Sequence, residues 1–222
     1  LVKELVTCAT ANASGAAMMA AQGLVTVIID VIDMSTSLEA AREMGALACF
    51  GASPTNCRAP VDINPKAIGE HAAKIAIENN TNIVVISEPR VGNYKEREAN
   101  AQELIAGIKE QNCPIEAIVP NLGSEVWKLT EFKNKVVVAV TASGGAVFDA
   151  AWTASSSKLV TTATVARTVK KKGTENLQVG IERAVVMAQE HNTGIAFVAA
   201  SSNSMEDVLA CEELYKAMLR KK

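Results

Sequence analysis

The stretch LVTVIIDVIDMSTSLEAAREMGALACFG, Leu24–Gly51, carries three structural elements in a row. Its first seven residues form an apolar run that stops at Asp30, as a strand covered on both faces would. Ser35 or Thr36 can then cap a helix over 35–45, and Glu39 can complete a capping box. Leu47–Gly51 is a second apolar run. Strand, loop, helix and strand at this spacing are the unit of a parallel sheet, and they put Asp30 at a strand end beside a cleft.

The same alternation extends in both directions. Strands are predicted at Leu1–Thr7, Leu24–Asp30, Leu47–Gly51, Ile83–Ser87, Ile115–Val119, Lys135–Thr141, Leu159–Thr162 and Gly194–Ala199. Helices are predicted from about Ala13, over 35–45, from Pro65, and over about 95–111, 144–154, 174–192 and 204–220. Pro65 stands where a helix's first residue needs no N–H. The pattern predicts a three-layer α/β fold, a mostly parallel sheet with helices on both faces, in a single domain over 1–222. The only long loops expected are about 52–64 and 120–134.

Composition narrows the function classes. The formal charge is −2 over 222 residues, which gives no electrostatic case for nucleic acid or an anionic membrane. No apolar run approaches the length of a membrane span, and no segment reads as a signal peptide. Five cysteines at 8, 49, 57, 113 and 211 include no C-x-x-C pair, so neither a disulfide framework nor a zinc knuckle is expected. A reducing cytoplasm is the expected compartment. The two histidines, His71 and His191, fall within or at the end of helices, away from strand ends, which argues against a Ser-His-Asp or Cys-His unit.

In open α/β sheets, ligands bind beyond the carboxyl ends of the strands. The residues expected there are Cys8, Thr10, Asn12 and Ser14; Asp30, Asp33, Ser35 and Thr36; Ser53 and Asn56; Glu88 and Arg90; Thr141, Ser143, Gly144 and Gly145; and Ser201, Ser202, Asn203, Glu206 and Asp207. Each has a structural alternative. Ser, Thr and Asn cap helices, and acidic residues in a first turn complement the helix dipole. TASGGA, Thr141–Ala146, reads either as a tight turn or as an anion-cradling loop without a Walker lysine. Asp30 and Asp33 suit either Mg²⁺ or a helix start.

ELVTCATANASGAAMMAAQG, Glu4–Gly23, places Cys8 where a predicted strand hands over to a helix. A thiol at a helix N-terminus has a lowered pKa, and the amides near Ala13–Gly15 could receive an oxyanion. The alternative is a packed thiol at the end of a strand.

VIIDVIDMSTSLEAAREMGA resembles a segment of the 2-phosphosulfolactate phosphatase family, an apolar strand followed by D-V-L-R-A-T/S-T and a helix. FVAASSNSMEDVLACEELYKAML is similar to that family's C-terminal strand, S-x-E-D and helix. VVVAVTASGGAVFDAA stands where the family has a strand ending in T-T-N-G-T. Order and spacing agree over much of the chain, but 52–130 does not match. The resemblance implies an α/β fold and Mg²⁺-dependent phosphatase chemistry, with Asp30, Ser35, Thr36, Glu206 and Asp207 as shared site positions. The family's arginine is Asp33 here, and its T-N-G is Ala142-Ser143-Gly144. A dianionic substrate would lose a bidentate donor and meet an added carboxylate.

The strand, cysteine, loop and helix around Cys8 also resemble the family that forms a pyridinol thioester during [Fe]-hydrogenase cofactor biosynthesis in methanogens. That resemblance implies a cysteine attacking the carboxyl carbon of adenylylated guanylylpyridinol and expelling AMP. An acyl adenylate is already activated, so the thiolate needs little help from a base. The leading expectation is therefore acyl transfer at Cys8. Thr10, Asn12, Ser14, Asp30, Ser35, Thr36, Thr141, Ser143, Gly144, Ser201 and Asn203 would hold a heteroaromatic or nucleotide-bearing ligand. No permanent cofactor is expected. An adenylylating enzyme would be the partner, and a homodimer is compatible with the sequence. The alternatives are a Mg²⁺-dependent phosphatase using Asp30, Asp33, Glu206 and Asp207, and a non-catalytic protein holding a nucleotide or phosphorylated metabolite.

Overall fold

The computed structural model describes residues 6–220. Strands and helices alternate along them: β1 Thr7–Ala11, α1 Asn12–Ala21, β2 Val25–Ile29, α2 Met34–Glu43, β3 Ala48–Ala52, α3 Pro65–Glu78, β4 Ile83–Ser87, α4 Tyr94–Asn100, α5 Gln102–Glu110, β5 Ile115–Pro120, β6 Val136–Val140, α6 Gly144–Ala154, β7 Val160–Thr162, α7 Gly173–Glu190, β8 Ile195–Ala199 and α8 Met205–Arg220. The result is a three-layer α/β fold. Two expectations change within it. The helix at 95–111 divides into α4 and α5, and the 120–134 loop contains a 3₁₀ turn, Gly123–Lys128.

The strands form two four-stranded parallel sheets, not one, in the orders β1-β8-β2-β7 and β3-β6-β4-β5. α6 packs on β2, β7 and β3, and α2 packs on β3, β6 and β7, so these two helices join the two sheets. Gly51 of β3 shows how tightly. A Cβ there would collide with Met34 of α2 and Phe148 of α6. β2, β4, β6 and β8 are buried along their whole length, which explains their predominantly apolar sequence, broken only by Thr26 and Ser87.

Two apolar cores result. One surrounds the β3-β6-β4-β5 sheet together with α1, α2, α3, α5 and α6. The other lies between the β1-β8-β2-β7 sheet and α7 and α8, around Val25, Val27, Ile29 and Phe197. A polar cluster also ties the two sheets together. Glu39 of α2 accepts from Arg183 of α7 (2.6 Å) and from Thr162 of β7 (2.8 Å), and Arg42 of α2 donates to the Cys49 carbonyl of β3. Glu39 is thus a buried ion-pair partner and not the expected capping-box residue. No side chain caps α2, whose N-cap is Asp33.

The first strand is the most consequential correction. The predicted Leu1–Thr7 lies mostly outside the described residues, and β1 runs later, over Thr7–Ala11. Pairing with β8 fixes this register, with Cys8 opposite Ala196 and Ala11 opposite Ala199. Cys8 therefore lies inside a strand, toward its amino end.

Candidate functional site

All eight strands are parallel to their neighbours, so each sheet gathers its carboxyl ends on one edge. The two edges meet at Asp30, which follows β2 as expected. Its Oδ2 accepts from the Ser143 hydroxyl (2.8 Å) and from the Gly144 N–H (2.7 Å), and its Oδ1 accepts from the Asp33 N–H (3.2 Å). Asp30 from one sheet therefore caps α6, which follows β6 of the other. Gly144 is required by this approach, since a Cβ there would overlap the Asp30 carboxylate. Thr141 completes the cap by accepting from the Gly145 N–H (2.8 Å).

Further residues lock the same edge. Asn12, with φ of 64°, accepts from the Ser202 N–H (2.9 Å) and donates to the Ser202 hydroxyl (3.0 Å), joining the β1 and β8 loops. Asp207 accepts from the Val31 N–H (2.9 Å) and fixes the β2–α2 loop. Asp33 pairs with Arg90 (3.1 Å), whose Nε donates to the Asn121 carbonyl. Burial raises the carboxyl pKa of Asp33, Glu88 and Asp207, and neighbouring carboxylates add to the effect. Asp207 is pushed up to about 6.

Protein groups already engage several of these carboxylates. Among the described residues, no three His, Cys, Asp or Glu side chains could hold one metal ion. Asp30 already accepts from three protein hydrogens, Asp33 is held by Arg90, and Glu206 is exposed at the surface of α8.

Several expected site residues make hydrogen bonds within the fold, and others are exposed. Ser35 donates to the Ile28 carbonyl (2.9 Å) and accepts from the Asp30 N–H (3.0 Å), and Thr36 hydrogen-bonds Thr164 (2.9 Å). Both are buried. Thr10 packs over Gly15, while Ser14 and Asn203 stand exposed. Ser201 accepts from the Asn203 N–H (3.1 Å).

Cys8 is separated from this edge. Three residues of β1 follow it, roughly 10 Å of strand at 3.3 Å per residue. Its Sγ lies 3.5 Å from Met19 Sδ, beside the second half of α1. A helix dipole favours a thiolate only at its N-terminal end. Burial raises the Cys8 pKa, the reverse of the lowering expected from sequence.

A pocket of about 290 Å³ does open at the shared edge. Its walls include Ala13 at the start of α1, Cys57 and Arg58 from the 52–64 loop, Ser143 and Ser201. No side chain caps α1, and Ala13 of its first turn lines this pocket. Arg58 is exposed. The 52–64 loop is held down from the inside by Asp149, which accepts from the Asn64 N–H (2.7 Å) and the Ser53 N–H (3.2 Å) and also from the Ser53 hydroxyl. Burial and the Asp149 charge raise the Cys57 pKa. Sequence reasoning did not single out Arg58 or Asp149 as site residues. No helix among the described residues is long and apolar enough to cross a membrane. No protein-family model, curated protein or solved structure matches this chain.

Proposed function

We propose that the protein binds a small anionic metabolite, of the phosphorylated or nucleotide-like class, in the pocket beneath the 52–64 loop. The observation that carries this reading is the pairing of Arg58 with the uncapped start of α1 around one opening. A guanidinium and free helix amides are the usual receivers of phosphate. Ser143 and Ser201 add hydroxyls to the same wall. The Asp30 charge behind Ser143 is already answered by the Gly144 N–H and the start of α6, so it opposes the anion less than a free carboxylate would.

Cysteine-dependent acyl transfer is a second reading, favoured by the position of Cys57 on the pocket wall. A Cys57 thiolate would attack the acyl carbon of a bound acyl phosphate or adenylate. The sulfur–carbon bond forms, the carbon–oxygen bond breaks, and the phosphate leaves with the electron pair. The position of Cys8 in β1 gives no support to the same step there.

Equilibrium dialysis with inorganic phosphate and pyrophosphate tests the binding. Saturable binding is expected, weakened about 10–100-fold by Arg58→Ala, the range for a lost charge-assisted hydrogen bond. Absence of saturable binding, or equal affinity in the variant, would overturn the proposal. A hydroxylamine-labile mass adduct on the Cys57 peptide after exposure to an acyl phosphate would establish the second reading.

A further inference from the structure

We propose a second ligand site, for the base and phosphate of a mononucleotide, in the groove between the 3₁₀ turn Gly123–Lys128 and the loop after β7. The groove measures about 390 Å³ and is lined by Trp127, Lys128, Glu125, Ser124, Arg167 and Val169 among others. It shares no lining residue with the pocket beneath the 52–64 loop and does not depend on that reading.

The chemistry of its walls selects the ligand. Only 4% of the chain is aromatic, yet Trp127 keeps 37% of its surface exposed here. A partly exposed indole lining a groove can serve as a stacking platform for a planar ring. Lys128 lies 5.9 Å from the ring centroid, at the edge of cation–π range, and is paired with Glu125. Arg167 is exposed on the opposite wall. A stacking ring beside a guanidinium matches a heteroaromatic base carrying a phosphate, and the volume suits a ligand of that size.

Both walls are built in advance. Val126 is fully buried beneath the 3₁₀ turn, which packs on α2. On the other side Asn176 donates to the Ala166 carbonyl (2.8 Å) and to Thr168 Oγ1 (2.9 Å), bracketing Arg167. The Lys170 N–H is tied to Glu43 of α2 (2.9 Å). A ligand therefore need not order either wall, which lowers the cost of binding.

The test measures AMP, adenosine, ribose 5-phosphate and inorganic phosphate by tryptophan fluorescence and calorimetry. The other tryptophan, Trp152, is 8% exposed, and loss of the signal in Trp127→Leu assigns the change to Trp127. AMP should bind at least tenfold more tightly than adenosine or ribose 5-phosphate. Trp127→Leu and Arg167→Gln should each weaken AMP about tenfold or more, while Arg58→Ala should leave the Trp127 signal unchanged. Both substituted side chains are solvent-facing, and unchanged thermal melts would confirm folding. Absence of saturable AMP binding would overturn the proposal. So would equal affinity for ribose 5-phosphate, or loss of the Trp127 signal in Arg58→Ala alone.

Discussion

Replacing Asp207 by Asn should stabilise the protein at neutral pH. Asp207 is 3% exposed, and its carboxyl is raised from 3.8 to about 6. Burial is the main cause, reinforced by the charges on Asp30 and Glu206 and opposed by hydrogen bonds from Val31 and Ser204. The folded state therefore holds this proton more tightly than the unfolded state. Below pH 3.8 both states are protonated and nothing is lost. As pH rises toward 6 the unfolded chain ionises first and the folded state falls behind, and above pH 6 the cost is complete. At 1.36 kcal/mol per pH unit that cost is at most about 3 kcal/mol. Water at the sheet edge reduces it, so about 1–2 kcal/mol is expected, or roughly 2–8 °C in Tm for a chain of this size. Asn keeps an Oδ1 for the Val31 N–H and carries no charge. Thermal and urea unfolding of both proteins from pH 4 to 8 should show an advantage for the variant that narrows toward pH 4. A variant less stable than wild type at pH 7, by a margin independent of pH, would refute the burial argument.

The cysteines and the buried ion pair give further tests. Limited alkylation at pH 7.5, mapped by peptide mass, should label pocket-wall Cys57 first and Cys8 more slowly, with buried Cys49, Cys113 and Cys211 protected; burial pushes the Cys211 thiol to about 12. First labelling at Cys8 would restore it as the reactive thiol. Arg183→Met should cost about 3–5 kcal/mol in urea unfolding, because it leaves Glu39 buried without its closest cation. Adding Glu39→Leu should recover much of that loss, and failure to recover would show that the pair does more than neutralise itself.

The fold was legible where apolar runs were long and covered on both faces. Val25–Ile29, Val136–Val140 and Ile195–Ala199 lie within the strands expected of them, since burial on both sides leaves Thr26 as the one polar side chain in these runs. Asp30 was legible for the same reason, as the first charge after such a run. β1 was not. Its sequence, TCATA, is half-exposed along most of its length at the sheet edge, and only pairing with β8 sets its register. The division into two sheets was equally hidden, because it depends on α2 and α6 packing against both and not on any local signal.

The error in β1 propagated into the chemistry. Moving the strand end from Thr7 to Ala11 moves Cys8 from beside the N-terminus of α1 to a place opposite Met19, and the sign of the dipole argument reverses with it. The same shift leaves the start of α1 without a thiol and without a cap. Ala13 at that start shares a pocket with a loop whose ends are pinned by Asp149, a buried residue in the middle of a helix. The residues that resemblance and strand-end logic selected at Asp30, Thr141, Ser143 and Gly144 do come together, but three of the four satisfy one another as the cap of α6 through hydrogen bonds that sequence spacing does not reveal. What stays free to meet a ligand is what the fold has not already used: Arg58 and the first amides of α1 at the sheet edge, and Trp127 and Arg167 in the groove beside α2.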